Sequence, residues 1–319
     1  YKTELQTSSF YQSLPQEIRS VIRVVVSNKM NTYKLNNDYN VKFLPETQHF
    51  NLEFNKIKIR DKDKNLYDHK KDKAFKPFYI DLIDDNLLLT YKYSDIFYIK
   101  ISELLNLSQT DNKIIFKKIN HNLEKVKILD TLIHENFIYI SGAIKTDQNC
   151  KKLIIYKSNL SLEKLFFEKI FIDQKGCNKQ AILAGKMQFH KAYDGLIVST
   201  AADLTINKDR SDLKSQDDNS LYGKVLLINH KNGDYKIISK GHRNIIGLYV
   251  DDDGSILATE NGPRGGDEIN LIKEGANYGW PISSYGEKDD YLPYVQNKEP
   301  FYKKNHINYF VFFNLCVCK

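Results

Sequence analysis

The sequence predicts an all-β fold of the β-propeller type, and three observations carry that expectation. A turn followed by an apolar strand recurs along the chain, the strands are short, and no long amphipathic helices lie between them. The turns and strands are Asp84-Asp85-Asn86 before Leu87-Leu88-Leu89-Thr90, His134-Glu135-Asn136 before Phe137-Ile138-Tyr139-Ile140-Ser141, Asp194-Gly195 before Leu196-Ile197-Val198-Ser199-Thr200, and Asp253-Gly254 before Ser255-Ile256-Leu257-Ala258-Thr259. From Asn86 through Asn136 and Gly195 to Gly254 the offsets are 50, 59 and 59 residues. Such spacing is the mark of small antiparallel sheets that cannot bury both faces alone and must stack on their neighbours. Parallel βαβ units would need amphipathic helices of about 10–15 residues between strands.

Taken in chain order, the first element is a helix. Leu14, Ile18, Val21, Ile22 and Val25 share one helical face, and Pro15 suits a first turn. Residues 1–35 therefore read as an N-terminal segment, and 36–319 as the propeller. Residues 30–75 hold a partial unit, with strands expected at 41–44 and 50–59. Four full units come after it. Their turn-led strands, taken as the first of each unit, are followed by second strands at 96–99, 153–156, 225–228 and 269–272, and by further strands at 114–117, 165–171 and 235–238. The tail 309–319 reads as one more strand. A propeller that stopped there would leave an open sheet edge, so the sequence is expected to be incomplete at its C-terminus.

All 15 glycines lie at or after Gly142, so left-handed turns in the first 141 residues fall to Asn and Asp. At 41% hydrophobic and 27% charged, the 319 residues can bury a core and are not those of a disordered chain. Apolar runs at 21–26 and 309–317 are broken by Arg23 and Asn314 and are too short for a membrane helix of about 20 residues. The net charge of +7 is spread rather than clustered, and residues 61–73 mix both signs, which argues against a nucleic-acid partner. Cys150, Cys177, Cys316 and Cys318 match no zinc spacing and are expected to be free, buried thiols.

Chemistry concentrates in residues 241–286, which hold nine of the 15 glycines and the single tryptophan. Gly262-Pro263 is followed by Asp267 and Glu268. Pro263 has no N–H, so this loop presents carbonyls, and carbonyls beside carboxylates suit an oxygen-seeking cation such as Ca²⁺. The turn Asp251-Asp252-Asp253-Gly254 lacks EF-hand spacing and reads as a plain hairpin turn.

Three blocks in this region carry a resemblance. They are Gly241-His242-Arg243-Asn244-Ile245-Ile246-Gly247-Leu248, then Glu260-Asn261-Gly262-Pro263 with Asp267-Glu268-Ile269-Asn270, then Asn277-Tyr278-Gly279-Trp280-Pro281. In order and spacing they resemble the signature of the soluble glucose/sorbosone (aldose sugar) dehydrogenases. The resembling region runs over residues 180–286 and is not recognisable earlier. It implies a six-bladed β-propeller that uses pyrroloquinoline quinone (PQQ) and Ca²⁺ to oxidise an aldose at C1. By that resemblance Arg243 and Asn244 contact PQQ, the carbonyls of Gly262 and Pro263 ligate the Ca²⁺ bridging to it, and Glu268 with the Tyr278 main-chain oxygen holds a second Ca²⁺. An arginine suits such a polycarboxylate through a bidentate, charge-assisted pair. The resemblance also implies a sugar substrate, an electron acceptor and export to the periplasm or beyond, with any membrane link through a preceding N-terminal anchor.

Two departures stand out. The family's general base is a histidine two residues before Gly-Gly-Arg or Ser-Gly-Arg, and the matching stretch is Ile182-Leu183-Ala184-Gly185-Lys186-Met187. Isoleucine accepts no proton, so the catalytic residue is unassigned; general-base catalysis is worth roughly 10²–10⁴-fold. The family's Pro-Gln after Arg-Asn is Ile245-Ile246. His190 reads as a solvent-facing histidine at a strand end. Two functions are compatible with this: an active dehydrogenase, or a propeller of the same family that binds a sugar, the cofactor or a partner without turnover. They separate on whether His190, His230 or His242 stands free beside Arg243.

Overall fold

Tyr139 and its neighbours show how the chain is layered. In the strand Phe137–Lys145, Ile138 and Ile140 face one way and Tyr139 faces the other, and all three are fully buried. Side chains alternate along a strand, so a strand buried on both faces must lie between two other layers. The computed structural model describes residues 59–61, 64–65, 78–91, 95–105, 114–123, 126–146, 150–176, 184–202, 214–262, 266–284 and 296–297. These all belong to a single packing unit. The expected N-terminal helix, the strands at 41–44 and 309–319, Ile182, Pro263, Cys177, Cys316 and Cys318 lie outside the described residues.

The first sheet is Phe78–Ile83, Asn86–Tyr91, Ile96–Lys100 and Lys117–Lys118. The second is Lys127–His134, Phe137–Lys145, Lys151–Asn159 and Glu168–Ile172. The third is Ala184–His190, Gly195–Thr200, Lys224–Asn229 and Tyr235–Lys240. The fourth is Ile245–Val250, Ile256–Glu260 and Glu268–Ile272. Each is an antiparallel meander in chain order. The first strands of successive sheets lie against one another, which is the arrangement of neighbouring propeller blades. A five-residue helix, Ile101–Leu105, is the one α-helix among the described residues. Of the expected partial unit at 30–75, the described part is Ile59–Asp61 paired with Lys64–Asn65 and, in parallel, with Ile114–Ile115.

Three hydrophobic clusters fill the spaces between sheets. Leu88 and Ile96 of the first sheet meet Ile128, Ile138, Ile140 and Ile154 of the second. Tyr139, Leu153, Ile155 and Phe171 on the second sheet's other face meet Met187, Leu196, Val198, Leu226 and Ile228 of the third. Ile197, Val225 and Ile238 then meet Ile245, Ile256, Ala258 and Ile272 of the fourth.

Within the described residues the expected strands are present, but the turn-led ones are second in their sheets, not first. Each predicted turn closes a hairpin onto a preceding strand, and in the first three sheets that strand holds a charged residue at mid-strand, which breaks its apolar signature. Asp130 is such a residue: its Oδ1 lies 2.9 Å from Lys186 Nζ, and its Oδ2 accepts from Met187 N at 2.9 Å, which ties the second sheet to the third. The left-handed positions of the turns are Asp84, Glu135, Asp194 and Gly254. Glu135, rather than Asn136, takes that place in the second hairpin, because full pairing of the flanking strands from His134↔Phe137 onward imposes it.

Two side-chain expectations are corrected. Cys150 is disulfide-bonded rather than a free thiol, although it is buried as expected. His190 is 4% exposed rather than solvent-facing. Its Nδ1 accepts from Tyr193 N at 3.3 Å, which leaves Nε2–H to donate to Gly254 O at 3.0 Å.

Candidate functional site

The site grows from the turn before the fourth sheet. Gly241 has φ +76°, and a Cβ there would fall 2.2 Å from Asn277 Oδ1 and 2.6 Å from Gly279 N. Only glycine lets residues 241–244 run this close to 277–280. Trp280 N donates to Gly241 O at 2.9 Å, and Tyr278 N to Lys240 O at 2.8 Å. Gln216 clamps the far side, its Nε2 donating to Trp280 O at 2.6 Å while its Oε1 accepts from Asn277 Nδ2 at 2.6 Å. The Trp280–Pro281 peptide is cis.

Glu260, the last residue of its strand, is 6% exposed and anchors the turn that carries Arg243. Its Oε1 accepts from the backbone N of Arg243. Its Oε2 accepts from His242 Nδ1 at 2.9 Å and from Asn270 Nδ2 at 3.3 Å. A carboxylate only accepts, so Nδ1 carries a proton towards Glu260, and Nε2 pairs with Ser239 Oγ at 2.8 Å. The His242 ring stacks on Tyr278, 4.5 Å between centroids, and is fully buried. Arg243 Nη1 donates to Asn261 O at 3.0 Å, and its guanidinium lies 5.4 Å from the Trp280 ring centroid.

Arg243, Glu260, Asn261, Gly262, Glu268, Tyr278 and Trp280 line one recess. Glu268 shares Asn270 with Glu260, its Oε2 accepting from Asn270 Nδ2 at 3.1 Å. Burial, and then the neighbouring Glu260 charge, push the Glu268 carboxyl far above the ordinary carboxylate range. Gly262 N donates to Asp267 Oδ1 at 2.9 Å, which closes the loop that carries both acids. Buried and without a hydrogen-bond partner nearby are Asn244 Oδ1, Asn261 Oδ1, Asn270 Oδ1 and Trp280 Nε1. The Glu268 carboxyl, the orphaned Asn261 Oδ1 and the Gly262 loop line one recess with oxygens of the kind a hard cation takes, so the residues present fit a Ca²⁺. Ile245 enters the core between the third and fourth sheets, while Ile246 is 45% exposed at the strand's start.

Arg243, Gly262, Glu268 and Tyr278 thus line the same recess. The structure does not bring His190 or His230 to them. His190 bonds the Gly254 turn, at the far end of the strand Ile245–Val250, a distance of about 20 Å for six residues. His230 contacts Asp194 in the hairpin turn of the third sheet, with Nε2 3.5 Å from Asp194 Oδ1 and Nδ1 2.9 Å from Tyr139 Oη. His242 is beside Arg243 but has both nitrogens engaged. Sequence reasoning gave no role to Glu260, Asn270 or Gln216. The signal for Glu260 was its place at the strand end directly before the Gly-Pro loop.

The sequence model of the family described as glucose / sorbosone dehydrogenase matches residues 75–309. The chain belongs to this family. The match reaches well upstream of residue 180, where the motifs first become readable. Quinoprotein glucose dehydrogenase B of Acinetobacter calcoaceticus is 39% identical over 92 residues, 25% of this chain and 19% of that protein. Aldose sugar dehydrogenase YliI of Escherichia coli (strain K12) is 44% identical over 52 residues, 16% of this chain and 14% of that protein. The chain thus matches less than a fifth of the length of each of these curated relatives. A crystal structure of a glucose dehydrogenase shares the fold, with a TM-score of 0.55 at 21% identity over 70% of this chain and 69% of that one.

Proposed function

We propose that the protein is a PQQ- and Ca²⁺-dependent aldose dehydrogenase of this family, a six-bladed propeller whose recess beside Arg243 receives the cofactor. The observation that carries the reading is the clustering of Arg243, the Gly262 loop, Glu268 and Tyr278 around one recess. Bound there, the quinone supplies the two-electron acceptor for oxidation of the sugar at C1. Arg243 would pair with its carboxylates, held at the right height by Glu260 and stacked on Trp280. Asn244 would offer its unpaired Oδ1 or its amide to the same group. The carbonyls of Gly262 and Pro263 would take the bridging Ca²⁺, and Glu268 with the Tyr278 carbonyl a second one. A separate electron acceptor would reoxidise the cofactor. A disulfide at Cys150 supports a periplasmic or secreted location, since such bonds persist in oxidising compartments. Among the described residues no helix is long and apolar enough to cross a membrane.

The test is a PQQ titration of the apoprotein with and without Ca²⁺, read by fluorescence of Trp280, the chain's single tryptophan. Saturable, Ca²⁺-dependent quenching is expected. No quenching up to about 100 μM PQQ, weaker than about −5.5 kcal/mol, sinks the reading.

A second reading, binding with little turnover, is favoured by Ile182 at the base position and by three histidines that are committed elsewhere. Dye reduction with a panel of aldoses is accordingly expected to be slow in the wild type. Ile182→His is expected to raise it by about 10²-fold or more. Fast wild-type turnover that Ile182→His leaves unchanged would exclude this second reading.

A further inference from the structure

We propose that Asn270 and Glu260 form a positioning link that makes the placement of Arg243 depend on a cation at Glu268. The proposal rests on the cation site proposed above. Asn270 is fully buried and uses its one amide nitrogen on two carboxylates, Glu268 Oε2 at 3.1 Å and Glu260 Oε2 at 3.3 Å. Glu260 in turn holds the backbone N of Arg243 through its other oxygen. The path from Glu268 to Arg243 is therefore continuous: carboxylate, amide, carboxylate, backbone N–H. The two buried carboxyls compete for that one amide. A divalent cation on Glu268 takes up the oxygens of that carboxyl, leaves the Asn270 amide to Glu260, and fixes the turn His242-Arg243 against it. Arg243 then presents its guanidinium over Trp280 in one orientation. Because coupling is reciprocal, whatever anion Arg243 grips must tighten the cation by the same factor.

The readout is Trp280 itself, 5.4 Å from the guanidinium. Ca²⁺ is titrated into the PQQ-free protein, with binding measured by calorimetry and Arg243 placement by Trp280 emission. The wild type is expected to bind Ca²⁺ and to change its emission in step. Asn270→Leu, of similar volume and without a donor, is expected to bind Ca²⁺ within about threefold of the wild type yet lose the emission change. If that variant does not fold, Glu260→Gln, which keeps an acceptor for Arg243 but removes the charge, is expected to behave alike. A wild-type emission change in either folded variant overturns the link, as does Ca²⁺ binding to the wild type with silent emission; both leave the proposed function standing. Absence of Ca²⁺ binding to the wild type overturns the cation site itself, and the link with it.

Discussion

Tyr139 shows how one buried side chain sets a pH limit. Its ring is fully buried between the second and third sheets, and its hydroxyl bonds His230 Nδ1 at 2.9 Å. Burial, with smaller contributions from Glu135 and Asp194, pushes the phenol up to about 12 from its ordinary 10. In the folded protein it stays neutral where the unfolded chain has begun to ionise. The unfolded state then binds fewer protons, so stability falls as pH rises from 10 towards 12. Denaturant unfolding at pH 9, 10 and 11 is expected to show this fall. Tyr139→Phe is expected to lose about 1 kcal/mol at neutral pH with the hydrogen bond and to show a shallower alkaline slope. An unchanged slope would mean that Tyr139 is not the group responsible. At the same scale, Ala184 holds φ +61°, a left-handed position that an alanine rarely takes.

Within an element, what decides is which face a residue takes. Ile140 packs between the first and second sheets and is fully buried; Ile80, on the first strand of the first sheet, is 64% exposed. Ile140→Ala is expected to cost about 2–5 kcal/mol in chemical denaturation, and Ile80→Thr less than about 0.5. Equal costs would contradict the layered core. The same distinction explains which strands are legible in the sequence. Strands such as Gly195–Thr200, with all six residues buried, stand out as apolar runs. The first strands of the first three sheets carry Asp81, Asp130 and Lys186 at mid-strand. Those charges have partners supplied by neighbouring sheets, Thr131 Oγ1 donating to Asp81 Oδ2 at 2.6 Å and Lys186 pairing with Asp130. No local pattern encodes such partners, so these strands give a weaker signal along the chain. Likewise Arg243, Gly262 and Glu268 are legible because they stand in glycine-rich loops of fixed spacing. The Glu260–Asn270–His242 network is not, since it exists only once two hairpins converge.

Across the whole molecule, the family match from residue 75 onward covers sheets that carry no readable motif. What those upstream sheets share with their relatives is the order of buried strands, which spacing and turns reveal, rather than a signature of chemical groups. The sheets have a temporal consequence as well. Each is a meander completed within its own stretch of sequence, and each apolar cluster joins only sheets adjacent in the chain. Such local pairing closes quickly, and domains form from the N-terminal side as synthesis proceeds. The growing protein can therefore be assembled in the order in which it leaves the ribosome, each sheet serving as the template for the next. A pause after the third sheet would present the face of Ile197, Val225 and Ile238 to the cell, and that is the surface a chaperone would meet.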